Sequence, residues 1–245
     1  ESEDVFSTLN ALKKMGVKIT KNQDDWKILG NGLGSLLGNN QTLDLGNSGT
    51  GARLLMGLVA GSDLKITFTG DMSLSKRPMK RIIEPLLETG AQINAGSNCL
   101  PLTIQGSKIP LPIEYHSKLS SAQVKSSVLL SGLTSTGITT YSEPLLSRDH
   151  TERMLSLMGV NIVRLGNTST VAPINEITSI DYLVPGDPSS ASFLIAIGLL
   201  KSKKVVIKNV LLNERRIGFL KVLKRMNADI LLENIKNFQN EPVGD

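Results

Sequence analysis

Between residues 73 and 82 the sequence reads SLSKRPMKRI, which places Lys76, Arg77, Lys80 and Arg81 within six positions and no acidic side chain before Glu84. Basic residues at a helix entry oppose the positive end of the helix dipole. That arrangement is tolerable where a bound anion sits between the helix end and a guanidinium, whose planar fork suits carboxylate or phosphate. Pro78 fits a first helical turn, where its missing N–H is harmless, so Arg77 is predicted at the mouth of that helix. A second basic entry, SRDHTERML (147–155), carries Arg148 behind Ser147. Two such arginines imply a ligand, or a pair of ligands, with more than one negative group. Lys80 and Arg81, further inside the helix, read as a solvated face.

Three loops rich in small and polar residues precede apolar runs. The first, DLGNSGTGARLL (44–55), offers glycines that allow close backbone approach and a helix start with unpaired N–H groups, which together make an anion site. The same loop reads equally as a plain N-cap turn, with Ser48 or Thr50 as the cap. It matches neither GxxxxGK[ST] nor GxGxxG. The second, SKLSSAQVKSS (117–127), sets Ser120 and Ser121 before a helix and Gln123 in its first turn, where a buried helix would take an apolar residue at no cost. The third, GDPSSAS (186–192), reads as a serine cap.

The other reactive side chains point to no chemistry of their own. His116 and His150 are the two histidines, too few for a zinc cluster, and His150 has only the adjacent Asp149 as a carboxylate neighbour, so it reads as a helix-surface residue. Cys99, the single cysteine, lacks a basic loop that would activate a thiolate and reads as structural; it also excludes an internal disulfide framework. The net charge of +5 is a mild bias towards anionic partners. With four per cent aromatics and evenly spread basic residues, a nucleic-acid surface is not expected. No apolar run reaches a membrane span. The acidic, amphipathic start is not a signal peptide, so the expectation is a cytoplasmic protein, and the missing initiator methionine predicts a piece of a longer chain.

The elements that must position these residues repeat. ALKKMGVKI (11–19), PLLETGAQI (85–93), MLSLMGVNI (154–162) and VLKRMNADI (222–230) end on Ile19, Ile93, Ile162 and Ile230, at intervals of 74, 69 and 68 residues. Each reads as the end of an amphipathic helix, a left-handed C′ residue and the start of a strand. Alternating with them are 51–70, 122–144 and 191–210, each an almost wholly apolar helix followed by an alternating strand. A helix apolar on nearly every side is expected to be buried on nearly every side. The predicted class is α/β, with sheets covering a layer of buried helices. VPGDPSSASF (184–193) breaks the pattern, which predicts a domain boundary between 1–183 and 184–245.

LGNSGTGARLLMGLV, GDMSLSKRPM, SSAQVKSSVLLSGL, SRDHTERMLSLMG and VPGDPSSASF closely resemble the 5-enolpyruvylshikimate-3-phosphate (EPSP) synthase family, in family order and from end to end. The resemblance implies a two-lobed protein of repeated βαβαββ units about a pseudo-threefold axis, with its site between the lobes. It implies transfer of the enolpyruvyl group of phosphoenolpyruvate to the 5-hydroxyl of shikimate-3-phosphate, without metal or organic cofactor, on the route to chorismate and the aromatic amino acids.

By the same resemblance, Asn47, Gly49 and Thr50 line the phosphoenolpyruvate site, Arg77 clamps that substrate, and Gln123 reaches both ligands. Ser121, Ala122, Ser147 and Arg148 fall on the shikimate-3-phosphate side. Glycine at 49, where the tolerant members carry alanine, implies sensitivity to glyphosate. The family's catalytic lysine and its acid–base pair lie outside the stretch matched, so no catalytic residue is expected in this chain and the isolated chain is expected to be inactive. Two other readings stand beside it. A UDP-N-acetylglucosamine enolpyruvyl transferase would carry a reactive cysteine in a mobile loop next to an arginine, and SNCLPL around Cys99 does not match. The other is a non-enzymatic basic module that binds anions or nucleic acid.

Overall fold

The computed structural model describes residues 2–23, 25–201 and 204–245. In chain order they form α1 (Glu3–Lys14), β1 (Lys18–Asn22), β2 (Asp25–Leu29), β3 (Gln41–Asp44), α2 (Gly49–Ala60), β4 (Lys65–Thr69), a 3-10 turn at Leu74–Lys76, α3 (Lys80–Glu88), β5 (Gln92–Asn94), β6 (Leu102–Gln105) and β7 (Glu114–His116). They continue with α4 (Ala122–Gly132), β8 (Thr139–Ser142), α5 (His150–Leu157), β9 (Ile162–Leu165), β10 (Thr168–Val171), α6 (Pro188–Leu200), β11 (Val210–Leu211), α7 (Gly218–Arg225), β12 (Lys236–Phe238) and β13 (Glu241–Gly244).

The seventy-residue period of the sequence is a topology repeated three times. Sheets run in the order β3-β4-β6-β5, β7-β8-β10-β9 and β11-β13-β12. In the first two the opening pair is parallel and the remaining pairs antiparallel. The third keeps the antiparallel pairs and reduces the parallel one to a single bridge from Gly186 to Val210. Each copy is therefore a βαβαββ unit, and α1 with the β1–β2 hairpin precedes them. Four helices end alike: Gly16, Gly90 and Gly159 have φ of +85°, +88° and +83°, and Asn227 has +62°. These are the left-handed residues that end a helix and release the chain into its next segment.

The described residues divide into two units, one running up to Leu145 and including Val160–Ile177, the other comprising Leu146–Gly159 and Thr178–Asp245. The first is built on apolar burial. Its α2 packs against α4, with α2 also against β4 and β6, and α4 against β8 and β10. Leu43, Met56, Ile66, Phe68, Ile82 and Ile104 are fully enclosed in one cluster. Each such side chain contributes about 1.5–3 kcal/mol by leaving water. The two helices approach so closely that a Cβ on Gly57 would lie 2.2 Å from the Ser127 carbonyl oxygen. Charge is also sealed within this unit: Lys125 Nζ lies 3.1 Å from Glu143 Oε1, with the side chains only 2 % and 1 % exposed.

The second unit is held differently. The Asp149 carboxylate, at the start of α5, accepts from Asn213 Nδ2 at 2.8 Å and pairs with Arg215 Nη1 at 2.7 Å and Arg153 Nε at 3.0 Å. Glu241 on β13 pairs with His150 Nδ1 at 2.6 Å and accepts from Asn213 at 3.2 Å. His150 is thus no plain surface histidine: its carboxylate partner is 91 positions away, beyond what the local sequence could show. The network ties α5 to the C-terminal segment. Leu183 N donates to Gln239 Oε1, which ties in the stretch before α6. Both residues belong to the second unit.

Other expectations fail in this unit. The cap of α6 is not the serine expected but Asp187, whose carboxylate accepts from Ser190 N at 2.9 Å, with Pro188 in the first turn, and the helix itself forms. Yet Phe193 is 73 % and Leu200 84 % exposed, because among the described residues no element covers that face. The strands expected at 204–209 and at Ile230 are reduced to Val210–Leu211. Residues 204–207 and 229–233 instead line a cavity of about 740 Å³ with α6 and α7. Of these residues Glu233 exchanges backbone hydrogen bonds with Asp245, and the segments form no ladder across that space.

Candidate anion site

Within the first unit, the loop between β3 and α2 brings most of the singled-out residues together. Asp44 Oδ1 accepts from Gly46 N at 2.9 Å, which turns the chain out of the strand. Ser48 is the cap: its hydroxyl accepts from Gly51 N at 3.2 Å and shares a 3.0 Å hydrogen bond with Thr8. The alternative left open by the sequence is resolved, since Thr50 is free of that role. Its Oγ1 accepts instead from Gln123 Nε2 at 2.8 Å, across to the first turn of α4.

Arg77 reaches the same loop by a route the sequence reading missed. α3 begins at Lys80, with Met79 as its N-cap, and not at Pro78. Proline drives the residue before it away from helical geometry, and Arg77 is extended with ψ of 131°. Its side chain is therefore no part of the helix mouth; it turns back to the loop, where Nη2 donates to Asn47 Oδ1 and, at 3.2 Å, to Ser73 Oγ. Asn47 in turn donates through Nδ2 to Asp71 Oδ2 at 2.7 Å. The Leu74 N–H, at 2.7 Å, and then this Asn47 amide hold the Asp71 carboxyl below its ordinary range. Asp71 thereby fixes the 3-10 turn that delivers Arg77.

Arg53, one turn into α2, was not picked out from the sequence. It is 5 % exposed, and its Nη1 donates to the Gly49 carbonyl at 3.2 Å and to Gln123 Oε1 at 3.0 Å. Burial, with the charges of Arg81 and Arg77, pushes its pKa down. A Cβ at Gly49 would stand 2.8 Å from Arg53 Nη1 and 3.0 Å from Arg77 Nη1, so two guanidinium ends crowd one glycine. The available signal was a lone cation in an otherwise apolar helix, GTGARLLMGLVA.

The structure thus brings together Asn47, Gly49, Thr50, Arg77 and Gln123, and adds Arg53. Ser121 is the N-cap residue of α4 but makes no side-chain cap bond, and Ala122 is the helix's first residue. Ser120 Oγ accepts from Leu145 N at 2.9 Å. Ser147 and Arg148 belong to the second unit, where burial and the charge of Arg216 lower the Arg148 pKa. Arg216 pairs with Asp187 Oδ1 at 2.6 Å and meets Ser189 Oγ at 3.0 Å. Lys80 pairs with Glu84 at 3.6 Å on an exposed helix face, as expected of a solvated position. Cys99 is a half-buried free thiol. Among the described residues no three His, Cys, Asp or Glu side chains group as a metal site, and no helix is long and apolar enough to cross a membrane.

The six residues of the cluster supply two guanidinium groups, two side-chain amides, a hydroxyl and a helix start. These side-chain types are poor proton carriers near neutral pH, so the arrangement offers positive charge and hydrogen-bond donors, the chemistry of an anion site, rather than acid–base groups.

The comparisons with known proteins agree. The profile of EPSP synthase (3-phosphoshikimate 1-carboxyvinyltransferase) matches residues 1–244. The chain is 45 % identical to the 3-phosphoshikimate 1-carboxyvinyltransferase of Bartonella tribocorum, covering 100 % of this chain and 57 % of that protein. It is 46 % identical to the enzyme of that name from Pseudomonas sp. strain PG2982, covering 100 % of this chain and 56 % of that one. A solved structure of EPSP synthase from Acinetobacter baumannii superimposes with a TM-score of 0.89 at 38 % identity, over 100 % of this chain and 56 % of that one. The chain spans about half the length of the curated relatives it matches. A match over nearly every residue, with the repeated βαβαββ topology beneath it, places this chain in the EPSP synthase family.

Proposed function

We propose that this chain supplies the phosphoenolpyruvate-binding half of an enzyme that transfers the enolpyruvyl group to the 5-hydroxyl of shikimate-3-phosphate and releases phosphate. The observation that carries the reading is the convergence of Arg77 and Arg53 on Gly49, beside the Gln123–Thr50 bond. Phosphoenolpyruvate bears a carboxylate and a phosphate on three carbons. A bidentate cation next to a helix start and an amide donor matches that charge pattern. Asn47, Gly49, Thr50, Arg77 and Gln123 are its binding residues; Ser121, Ala122, Gln123, Ser147 and Arg148 serve shikimate-3-phosphate. No cofactor takes part in this scheme. Neither nucleic acid nor a membrane is a partner, and the workplace is the cytoplasm.

Residues 1–183 contribute to one lobe and the segment from 184 opens the other. Because the relatives are nearly twice as long, proton transfer falls to residues beyond those described here. Glyphosate competes at the Gly49 loop, and Gly49→Ala lowers sensitivity while pressing its methyl against both guanidinium groups. Family membership sets the sugar-nucleotide alternative aside.

The test is phosphate release from both substrates by the full-length enzyme that carries this chain, beside Arg77→Met and the isolated 245 residues. Activity dependent on shikimate-3-phosphate, lost in Arg77→Met and absent from the isolated chain, is the expected pattern. Release that follows UDP-N-acetylglucosamine, or that survives Arg77→Met, would overturn the proposal.

A further inference from the structure

We infer that Arg53 is a positioning residue of the anion site: it fixes the Gln123 side-chain amide with its N–H donors forward. This rests on the function proposed above and goes beyond it by assigning a residue that does not itself hold substrate.

The chemistry of the side chains leaves few alternatives. Arginine donates and cannot accept, so the Gln123 atom 3.0 Å from Arg53 Nη1 must be the amide oxygen. The amide nitrogen is thereby committed to the other side, where it meets Thr50 Oγ1 at 2.8 Å. With Arg53 absent, nothing in that pair of contacts would distinguish the two faces of the amide, since the Thr50 hydroxyl donates as readily as it accepts. A flipped amide would present oxygen to an anion and repel it. The same Nη1 also donates to the Gly49 carbonyl at 3.2 Å, which ties the guanidinium to the first turn of α2 while it holds the α4 amide.

The cost is visible. Arg53 is almost wholly enclosed and pairs with no carboxylate among the described residues, and its Nε is buried without a hydrogen-bond partner. A buried, unpaired cation normally destabilises a fold. Lys125, buried on the neighbouring helix, has Glu143 within 3.1 Å. Arg53 has no such counterpart, and two further arginines, Arg77 and Arg81, press on it electrostatically. A residue kept only for stability would be expected to carry a counter-ion or to be apolar, as most of α2 is. An incoming anion supplies the missing negative charge.

The test uses the 245-residue chain, as wild type, Arg53→Met and Arg53→Lys, with phosphoenolpyruvate and inorganic phosphate as probes. Three quantities are read: the thermal midpoint without ligand, the nuclear Overhauser contact between the Gln123 side-chain NH2 and Thr50, and the dissociation constant for each probe. Arg53→Met is expected to hold or raise the ligand-free midpoint, to lose the Gln123–Thr50 contact, and to weaken phosphoenolpyruvate binding by about tenfold or more, the equivalent of one charge-assisted hydrogen bond. Arg53→Lys, which keeps the charge and one donor direction, is expected to recover part of the affinity. A Gln123–Thr50 contact that persists in Arg53→Met would overturn the inference, as would a large drop in its ligand-free midpoint with binding unchanged. Should the wild-type chain bind neither probe, the proposed function fails, while the Gln123 contact still decides the role of Arg53. Should Arg53→Met not fold, the inference also fails, because the cation would then be structural.

Discussion

The two units are made from the same repeat but are stabilised in opposite ways. In the first, α2 and α4 bury almost every face against one another and against two four-stranded sheets. In the second, α6 is as apolar as either yet leaves Phe193, Leu194, Ile197 and Leu200 exposed, and a network of Asp149, Arg153, Arg215, Asn213 and Glu241 gathers the chain. The difference shows that a repeat unit carries its own local signals, caps and left-handed exits, but not its own burial. Helix formation at α6 needs only Asp187 and Pro188; closing the sheet around it needs neighbours. The candidate site is correspondingly assembled where packing is complete.

Substitutions can break this contrast, beginning with the buried charges. Glu143→Leu removes a buried carboxylate partner of the Lys125 ammonium in the first unit and is expected to destabilise it by about 3–5 kcal/mol, with most of the loss recovered in the Lys125→Met/Glu143→Leu double variant. Urea unfolding of the three variants measures it; a single variant as stable as wild type would mean the first unit does not depend on that pair. Next comes the helix crossing. Gly57→Ala forces a methyl towards the Ser127 carbonyl and is expected to cost about 1–3 kcal/mol, read from the same curves.

A smaller effect is expected from pH. Burial pushes the Tyr141 hydroxyl up to about 12 from an ordinary 10.0. The folded chain therefore holds that proton where the unfolded chain releases it, so the contribution is complete below pH 10 and is lost as pH rises towards 12. Tyr141→Phe should flatten the alkaline limb of stability; an unchanged slope would place the alkaline loss elsewhere. The smallest change is expected at α6, where Phe193→Ser should stay within about 0.5 kcal/mol despite removing an aromatic from an apolar helix. A loss comparable to that of Gly57→Ala would show that the face is covered in solution.

Much of this was legible in the residues. The four Ile-ending segments located the four left-handed helix exits seen among the described residues, because the glycine or asparagine there answers a backbone demand that local sequence must meet. The loop at Asn47–Thr50, Arg77 and Gln123 were picked out by residue type in the wrong setting, polar or basic where an apolar or acidic residue would be cheaper. What escaped was decided by contacts distant in the chain. His150 finds Glu241, and the segments at 204–209 and Ile230, which carry strand-like alternation, border a cavity instead of joining a sheet. Arg77 was placed at a helix mouth because Pro78 suits a first turn; its stronger effect was on the residue before it. Arg53 was hidden by its apolar surroundings, which are the reason its charge counts.

The most direct test of the anion site is a titration of the isotopically labelled 245-residue chain with phosphoenolpyruvate, followed residue by residue by nuclear magnetic resonance. Saturable shifts are expected at the Gly49 and Thr50 amides, the Gln123 side chain and the Arg77 guanidinium, all within the first unit. Saturable shifts confined to the second unit, or none in the loop at saturating ligand, would contradict the account.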